Sequence, residues 1–427
     1  MRRVGYFTAA AAVAVLLLSG CTETADPIAP PSTPRASLSD LARVPWDGGP
    51  AFYKQFSKAD AAEWDDPNFF PIGVWYGSVN PDQMTFDKAR GINFYAQGNP
   101  GTDAAAVAAQ GMFTLYKPEN APDNWAAQVG ALMEDEVDGR FGPEEGLAHM
   151  RRLAEQYAPA KTGMFTYVNW TNGILTYDRS MQFSADYWNT SNVNSVAQYY
   201  YSWPCLGASR FRSLTGTDNV RTETCHTASM YAKSTELMRE INKYRGVQSP
   251  IWALPEVVSI GGDAGDYRQI TPAQVKAQVW AALIHEARGI MWFTQSPDQP
   301  QINECQTGDA LATVRLTDAA CARDQVQAMG EINAEVKALA PVLNTQSYVW
   351  NFGDGLDTML KSYNGDAYIF AMTQDALTGQ RTFTLPTGVT PKTVEVVNEN
   401  RTIAVKDGKF TDDFSVESTH HVYKVRL

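Results

Sequence analysis

Two stretches of this chain place acids where an apolar run stops. The first is Leu132-Met133-Glu134-Asp135-Glu136-Val137-Asp138-Gly139-Arg140, with four acids in five positions directly after two apolar residues. The second is Pro250-Ile251-Trp252-Ala253-Leu254-Pro255-Glu256, where a single acid ends the run. A charged surface helix spreads its acids among lysines and small residues and then continues. Here a glycine closes the first stretch, as in a buried strand whose end emerges into a polar cavity. Taken alone, it also reads as a strand end followed by a solvated acidic turn. Crowded carboxylates repel and raise one another's pKa, which suits a group that must hold a proton near neutral pH. Glu256 has no acidic neighbour and is expected to stay ionised. A proton donor and an ionised carboxylate on opposite sides of a glycosidic bond can cleave it.

Such a pair works only if the fold brings the two ends together. From Phe69 onward, short apolar runs alternate with helical patterns. Runs near residues 69–76, 92–96, 111–116, 132–136, 163–168, 181–187, 250–256 and 289–294 read as strands. Helical patterns cover 81–90, 102–110, 143–157, 228–244 and 271–288, with a helical turn at 125–130. Pro143 with Glu144 and Glu145, and Thr271 with Pro272, are helix-start chemistry. Continuous apolar strands alternating with helices indicate a parallel sheet covered on both faces. Eight such units predict a (β/α)8 barrel over 46–342, with its chemistry at the strand C-termini. The competing doubly wound sheet usually carries a Gly-rich phosphate turn after its first strand, and this sequence has none. After a helix at 324–339, Tyr348 to Leu427 alternates with period two. Turn signals stand at Asn364-Gly365 and Asp407-Gly408, so 343–427 reads as a small antiparallel β-sandwich. His420 and His421, just before its last strand, read as a strand-entry pair.

In that barrel Glu136 ends strand four and Glu256 ends strand seven, roughly across the mouth from each other. By strand parity Glu134, Glu136 and Asp138 share one face and Asp135 the other. A register shifted by one residue would make Asp135 the working acid. A barrel with glutamates ending strands four and seven resembles clan A of the glycoside hydrolases, the retaining (β/α)8 enzymes. The resemblance covers about residues 65–340. It implies Glu136 as acid/base and Glu256 as nucleophile of a double displacement on an extracellular or cell-envelope oligo- or polysaccharide. It implies no cofactor. One position departs from the clan. Asn usually precedes the acid/base and binds the sugar hydroxyl beside the reacting carbon, and here that residue is Asp135. The chain is therefore similar to a divergent member.

Asp135, Trp75 on strand one, Asn169 after strand five, Tyr187 and Trp292 on strand eight are the expected substrate contacts. Each tryptophan has barrel packing as its alternative. The other function considered is a lipid-anchored glycan-binding or envelope protein on a barrel without catalysis. No Gly-x-Ser-x-Gly elbow points to a serine hydrolase.

The remaining features set compartment and partners. Arg2 and Arg3, the apolar run Ala9 to Leu18, and Leu18-Ser19-Gly20-Cys21 read as a bacterial lipoprotein signal ending at a lipidated Cys21. The Pro-rich residues 22–45 then read as a solvated tether. This predicts a protein held to the outer face of a bacterial cell membrane. The other four cysteines, Cys205, Cys225, Cys305 and Cys321, suggest two disulfides, with sequence proximity favouring 205–225 and 305–321. Five histidines without ligand spacing and no Cys-x-x-Cys argue against a metal site. A net charge of −12 with no basic stripe makes nucleic acid an unfavourable partner. The oligomeric state is not legible.

Overall fold

The computed structural model describes residues 38–78, 80–97, 102–117, 127–202, 211, 224–257, 270–294, 310–317 and 320–427, with backbone alone at 104, 316, 317, 320 and 321. The signal segment, Cys21 and most of the tether lie outside these residues, as do Cys205, Cys305 and residues 125 and 126. The described part of the turn expected at 125–130 is not helical, because residues 127–129 pair with Thr114 and Gly130 already begins a strand.

Eight parallel strands form the first architecture: β1 (Ile72–Val74), β2 (Phe94–Ala96), β3 (Phe113–Leu115), β4 (Gly130–Asp135), β5 (Phe165–Trp170), β6 (Val193–Val196), β7 (Ile251–Trp252) and β8 (Ile290–Trp292). They make two four-stranded sheets, ordered β3-β2-β1-β8 and β4-β5-β6-β7. Parallel bridges Thr114↔Gln128, Ala253↔Ile290 and Glu256↔Phe293 join the sheets at both seams and close the ring. The helices are α1 (Ser57–Ala61), α2 (Pro81–Ala89), α3 (Ala104–Ala109), α4 (Val137–Arg140), α5 (Pro143–Gln156), α6 (Pro159–Thr162), α7 (Met181–Trp188), α8 (Ala228–Arg245), α9 (Pro272–Ile284), α10 (Ala310–Thr317) and α11 (Ala320–Leu343). Their starts follow the sequence chemistry: Thr271 and Gln274 form a complete capping box at α9.

The ring interior is packed with aromatic side chains. Phe94, Phe165, Tyr167 and Trp252 meet Tyr53, Phe56 and Trp64 from the segment preceding β1, and the Trp252 indole donates to the Tyr53 hydroxyl at 3.1 Å. That segment plugs the base of the barrel and leaves the strand C-termini as the open end. Room for the rings comes from glycine. A Cβ at Gly73 would lie 2.3 Å from the Phe94 ring, and one at Gly289 would lie 2.5 Å from Trp252.

Two expectations need correction. The run 181–187 is helix α7, not the sixth strand. Ser180 accepts the Phe183 N–H as N-cap, and Ser184, Ala185, Tyr187 and Trp188 are buried at helical spacing. A seven-residue run with apolar residues at 181, 183, 185 and 187 matches period two by coincidence. The sixth strand is β6, where Asn194 and Ser195 interrupt the apolar pattern. Second, residues 38–44 are not solvated tether. Leu38 is 3 % exposed in the core of the C-terminal sheets, and Val44 and Val349 donate across to Ser347 and Ala42. An apolar anchor and paired backbone offset the entropy lost in ordering this segment.

The C-terminal strands are β9 (Leu356–Tyr363), β10 (Asp366–Thr373), β11 (Gly379–Thr384), β12 (Thr393–Val396), β13 (Arg401–Ala404), β14 (Lys409–Phe414) and β15 (His421–Arg426). Five of them form an antiparallel sheet, β13-β12-β15-β10-β9, and β11 pairs with β14 beside it. Phe383, Phe410, Phe414 and Tyr423 fill the core between the two sheets. The other face of the larger sheet packs on the barrel helices, where Phe370 meets Trp280 of α9 at 5.7 Å. Residues 36–427 form one compact unit.

Candidate active site

The acidic stretch is governed by a β-bulge. β4 pairs with β5 as Leu132↔Tyr167 and then Glu134↔Val168, so Met133 has no partner. A bulge of this kind re-aims the side chains that follow it. Leu132 and Tyr167 face the ring interior, whereas Met133 and Val168 face the helix layer. Beyond the bulge Glu134 also turns to the helix layer, receiving Lys117 Nζ at 2.6 Å and lying 3.4 Å from His149 of α5. Asp135 stands opposite Asn169 and turns inward. Glu136 has left the strand, at φ 54 in the left-handed region, and starts α4. The uniform parity expected for Glu134 and Glu136 therefore fails, because alternation assumes an uninterrupted ladder.

Asp135 is held from two sides. Asn169 Nδ2 donates to its Oδ1 at 3.0 Å, and Arg140 donates to its Oδ2 at 2.8 Å. Asn169 is fixed in turn: Ser195 Oγ donates to its Oδ1 at 3.0 Å and lies 2.6 Å from the Tyr167 hydroxyl. A chain of polar contacts thus crosses the inner faces of β4, β5 and β6. Burial raises the Asp135 pKa; Asn169 and Arg140 pull it part of the way back. Glu136 is one-third exposed, with Arg140 3.6 Å away. Its carboxyl is also raised, first by burial and then by the charge of Asp135, against the pull of Arg140. Burial likewise raises Glu134, but Lys117 and His149 more than offset it and leave it low. Of the three, Glu136 combines access with proton retention.

Glu256, two residues beyond Leu254 of the interior cluster, has no exposed surface. Its Oε1 accepts the N–H groups of Tyr201 (2.8 Å) and Ser202 (3.2 Å) and the hydroxyl of Tyr231 on α8 (2.5 Å). Its Oε2 accepts from the Ser202 hydroxyl. Its backbone is clamped by Gln278 of α9, which accepts its N–H at 2.9 Å and donates to its carbonyl at 2.6 Å. Burial pushes the Glu256 carboxyl up to about 7 against the pull of its donors. The expectation that it stays ionised for want of acidic neighbours therefore fails near neutral pH: enclosure, not a neighbouring charge, raises it.

Tyr199 links the two sides. Its hydroxyl is driven well above the ordinary phenol range by burial and by the negative charges of Glu136, Asp135 and Glu256 together. Its ring rests on Phe293 at 5.0 Å. The acids ending β4 and the acid beyond β7 lie at the same C-terminal end of the ring.

The other expected contacts divide. Trp75 is buried in the interior cluster and meets Tyr167 edge-on at 6.5 Å, so it packs the barrel interior. Asn169 is 2 % exposed and occupied with Asp135 and Ser195, so it orients an acid instead of offering itself to substrate. Trp292 is fully buried in the helix layer, its indole donating to Asn333 of α11 at 2.9 Å. Alternation along β8 turns Met291 and Phe293 inward and Trp292 outward. Tyr187, on α7, donates to the Pro143 carbonyl at 2.6 Å and lies in the same outer layer. Sequence reasoning missed Arg140, Ser195, Tyr199, Ser202 and Tyr231. Arg140 was visible as the basic end of the acidic stretch, and Tyr199 lay in an aromatic segment without regular pattern.

Among the described residues no group of three or more His, Cys, Asp or Glu is arranged to hold a metal ion. Cys225, just before α8, is disulfide-bonded.

No protein-family model matches the chain, and no curated protein does. Solved structures resemble it in part. An α-amylase from Geobacillus thermoleovorans, complexed with acarbose, is 11% identical with a TM-score of 0.47, over 84% of this chain and 99% of that one. A GH30 endoxylanase from Clostridium papyrosolvens is 10% identical with a TM-score of 0.44, over 84% and 96%. A maltogenic α-amylase from Thermotoga neapolitana is 8% identical with a TM-score of 0.47, over 85% and 99%. At such scores these likenesses assign neither substrate nor residue roles.

Proposed function

We propose that this protein is a glycosidase acting on an oligo- or polysaccharide at the open end of its barrel. The observation that carries the reading is that Asp135 and Glu136, at the end of β4, and Glu256, beyond β7, stand at the same C-terminal end of one closed ring. Glu136 is the proton donor: it is accessible, and burial and the Asp135 charge hold its proton. It protonates the leaving glycosidic oxygen and later deprotonates the incoming water. Glu256 is the opposing carboxylate, attacking the anomeric carbon in a retaining double displacement. Phe293 supplies an apolar wall for a sugar ring, and Asp135, held by Arg140 and Asn169, accepts from a sugar hydroxyl.

One observation favours a second reading, a glycan-binding barrel without turnover. Glu256 has no exposed surface, and both its oxygens are occupied by protein donors. Attack by Glu256 requires the Tyr201–Ser202 segment to yield an oxygen when substrate binds. Screening the purified protein and its Glu136→Gln and Glu256→Gln variants against a glycan panel separates the two. Turnover lost in both variants with binding kept supports catalysis. Binding without turnover in the unaltered protein supports the second reading, and equal turnover in all three removes the assignment.

We further propose that the chain is exported and lipid-anchored through Cys21, with disulfides 205–225 and 305–321. The support is the run Ala9 to Leu18 before Leu18-Ser19-Gly20-Cys21, and an even number of further cysteines. Membrane fractionation of a Cys21→Ser variant tests the anchor, which is refuted if the variant stays with the membrane as the unaltered chain does.

A further inference from the structure

The C-terminal β domain reaches the barrel site through one carboxylate. Glu417 lies in the connection between β14 and β15. Its Oε2 accepts the N–H of Ala228, the first residue of α8, at 2.8 Å. Both its oxygens face the Tyr201 hydroxyl, at 3.2 and 3.1 Å. Gln274 of α9 is a further donor to it.

Tyr201 is nearly fully buried, and each of its polar groups is engaged. Its N–H donates to Glu256 at 2.8 Å, its carbonyl lies 2.8 Å from His226 Nδ1, and its hydroxyl is held by Glu417. Its ring packs on Tyr231 at 5.2 Å, and the Tyr231 hydroxyl accepts the Tyr200 and Tyr201 N–H groups while donating to Glu256. Glu417, Tyr201 and Glu256 thus form a continuous relay from the C-terminal domain to the barrel mouth.

We propose that Glu417 is a positioning residue for the barrel site, and that the C-terminal domain completes the cradle of Glu256 by holding Tyr201. The proposal rests on Glu256 being the working carboxylate of the function proposed above. Among the described residues the donors to the Glu256 carboxyl are all neutral: the Tyr201 and Ser202 N–H groups and the Ser202 and Tyr231 hydroxyls. Three of the four come from the segment Glu417 secures. Without Glu417 the Tyr201 hydroxyl is a buried donor lacking its acceptor, an unfavourable state that drives the segment to move. The Tyr201 and Ser202 N–H groups then leave Glu256, and the carboxylate loses donors that favour its ionised form.

The test uses the full chain with Glu417→Ala, Glu417→Gln, Tyr201→Phe and the double variant Glu417→Ala/Tyr201→Phe. Two readouts are taken: the pH profile of kcat/KM on a hydrolysed glycan, and the ionisation midpoint of Glu256 by infrared difference titration against the matching Glu256→Gln background. Glu417→Ala is expected to raise the midpoint and move the acid limb of the profile upward. A midpoint higher by about one pH unit lowers kcat/KM at pH 6 about tenfold. The loss appears in kcat more than in KM. Tyr201→Phe keeps the ring and the backbone donor, so it guards against a variant that fails to fold. The double variant should be no worse than Glu417→Ala alone, because both act through one relay. A lower Tm with both the midpoint and the profile unchanged in Glu417→Ala and Glu417→Gln overturns the proposal. An unaltered protein that hydrolyses no glycan overturns the function instead, and the infrared midpoint still decides whether Glu417 sets the state of Glu256.

Discussion

Asp135 stands directly opposite Asn169, its Oδ1 3.0 Å from the Asn169 amide, because Met133 has dropped out of the β4–β5 ladder. One unpaired residue sends Glu134 to the helix layer, Asp135 into the barrel and Glu136 to a left-handed turn at its rim. Asp135→Asn keeps an amide oxygen for Asn169 but loses the pair with Arg140 and the charge that raises Glu136. The pair is exposed on the arginine side, so stability should change by less than about 1 kcal/mol. Glu136 should titrate lower, and a rate that needs its proton should fall off at lower pH. The alkaline limb of the pH–kcat/KM profile therefore moves down. An unmoved alkaline limb means that Glu136 is not the proton donor.

Glu136→Gln removes the proton donor while leaving the shape of the turn. With a natural leaving group kcat should fall by about 10²–10⁴. With an aryl glycoside whose phenol leaves without protonation, the loss in the glycosylation step should shrink strongly. Paired rate measurements on the two substrates check this. An equal loss on both contradicts acid catalysis by Glu136.

The barrel was legible because seven of its strands are apolar runs bounded by helix starts such as Thr271-Pro272 and Pro143-Glu144. The eighth member of the ring, β6, was hidden because Asn194 and Ser195 lie inside it. Those polar residues satisfy the Trp170 indole and the Asn169 amide, contacts made across strands far apart in sequence. The bulge at Met133 was illegible for a related reason. Nothing local in Leu-Met-Glu-Asp distinguishes an unpaired methionine from a paired one, and only the register with β5 decides it. Glu256 was found as an acid at the end of an apolar run. Its enclosure depends on Tyr201 and Ser202, from a segment without periodicity, and on Glu417, far later in the chain.

Burial raises the Glu256 carboxyl to about 7, above its ordinary value of 4.5. Between those two values the folded chain holds a proton that the unfolded chain has released, so stability falls as pH rises across that window. The contribution is about 3 kcal/mol by linkage. Glu256→Gln cannot ionise and retains an amide oxygen for Tyr201, Ser202 and Tyr231. Its denaturation free energy should lack this component and should exceed that of the unaltered protein at pH 8. Parallel pH–stability curves for the two proteins contradict a raised carboxyl at this position.

Gly73 and Phe94 make a sharper test of the barrel interior, because they separate packing from backbone freedom. Gly73 has no left-handed φ, so alanine is permitted by its backbone conformation. A methyl group there would lie 2.3 Å from two carbons of the Phe94 ring. That ring has no room to retreat, with Trp252 5.2 Å and Trp64 5.7 Å away. Gly73→Ala should therefore destabilise by about 1–3 kcal/mol through overpacking. Gly142, just before α5, is exposed, and a methyl group there would meet nothing within 4 Å. Gly142→Ala should change stability by no more than about 0.5 kcal/mol. Chemical denaturation of both variants gives the comparison. Equal effects would mean that Phe94 does not occupy the space above Gly73, and the interior aromatic stack that sets the barrel's base would be wrongly placed.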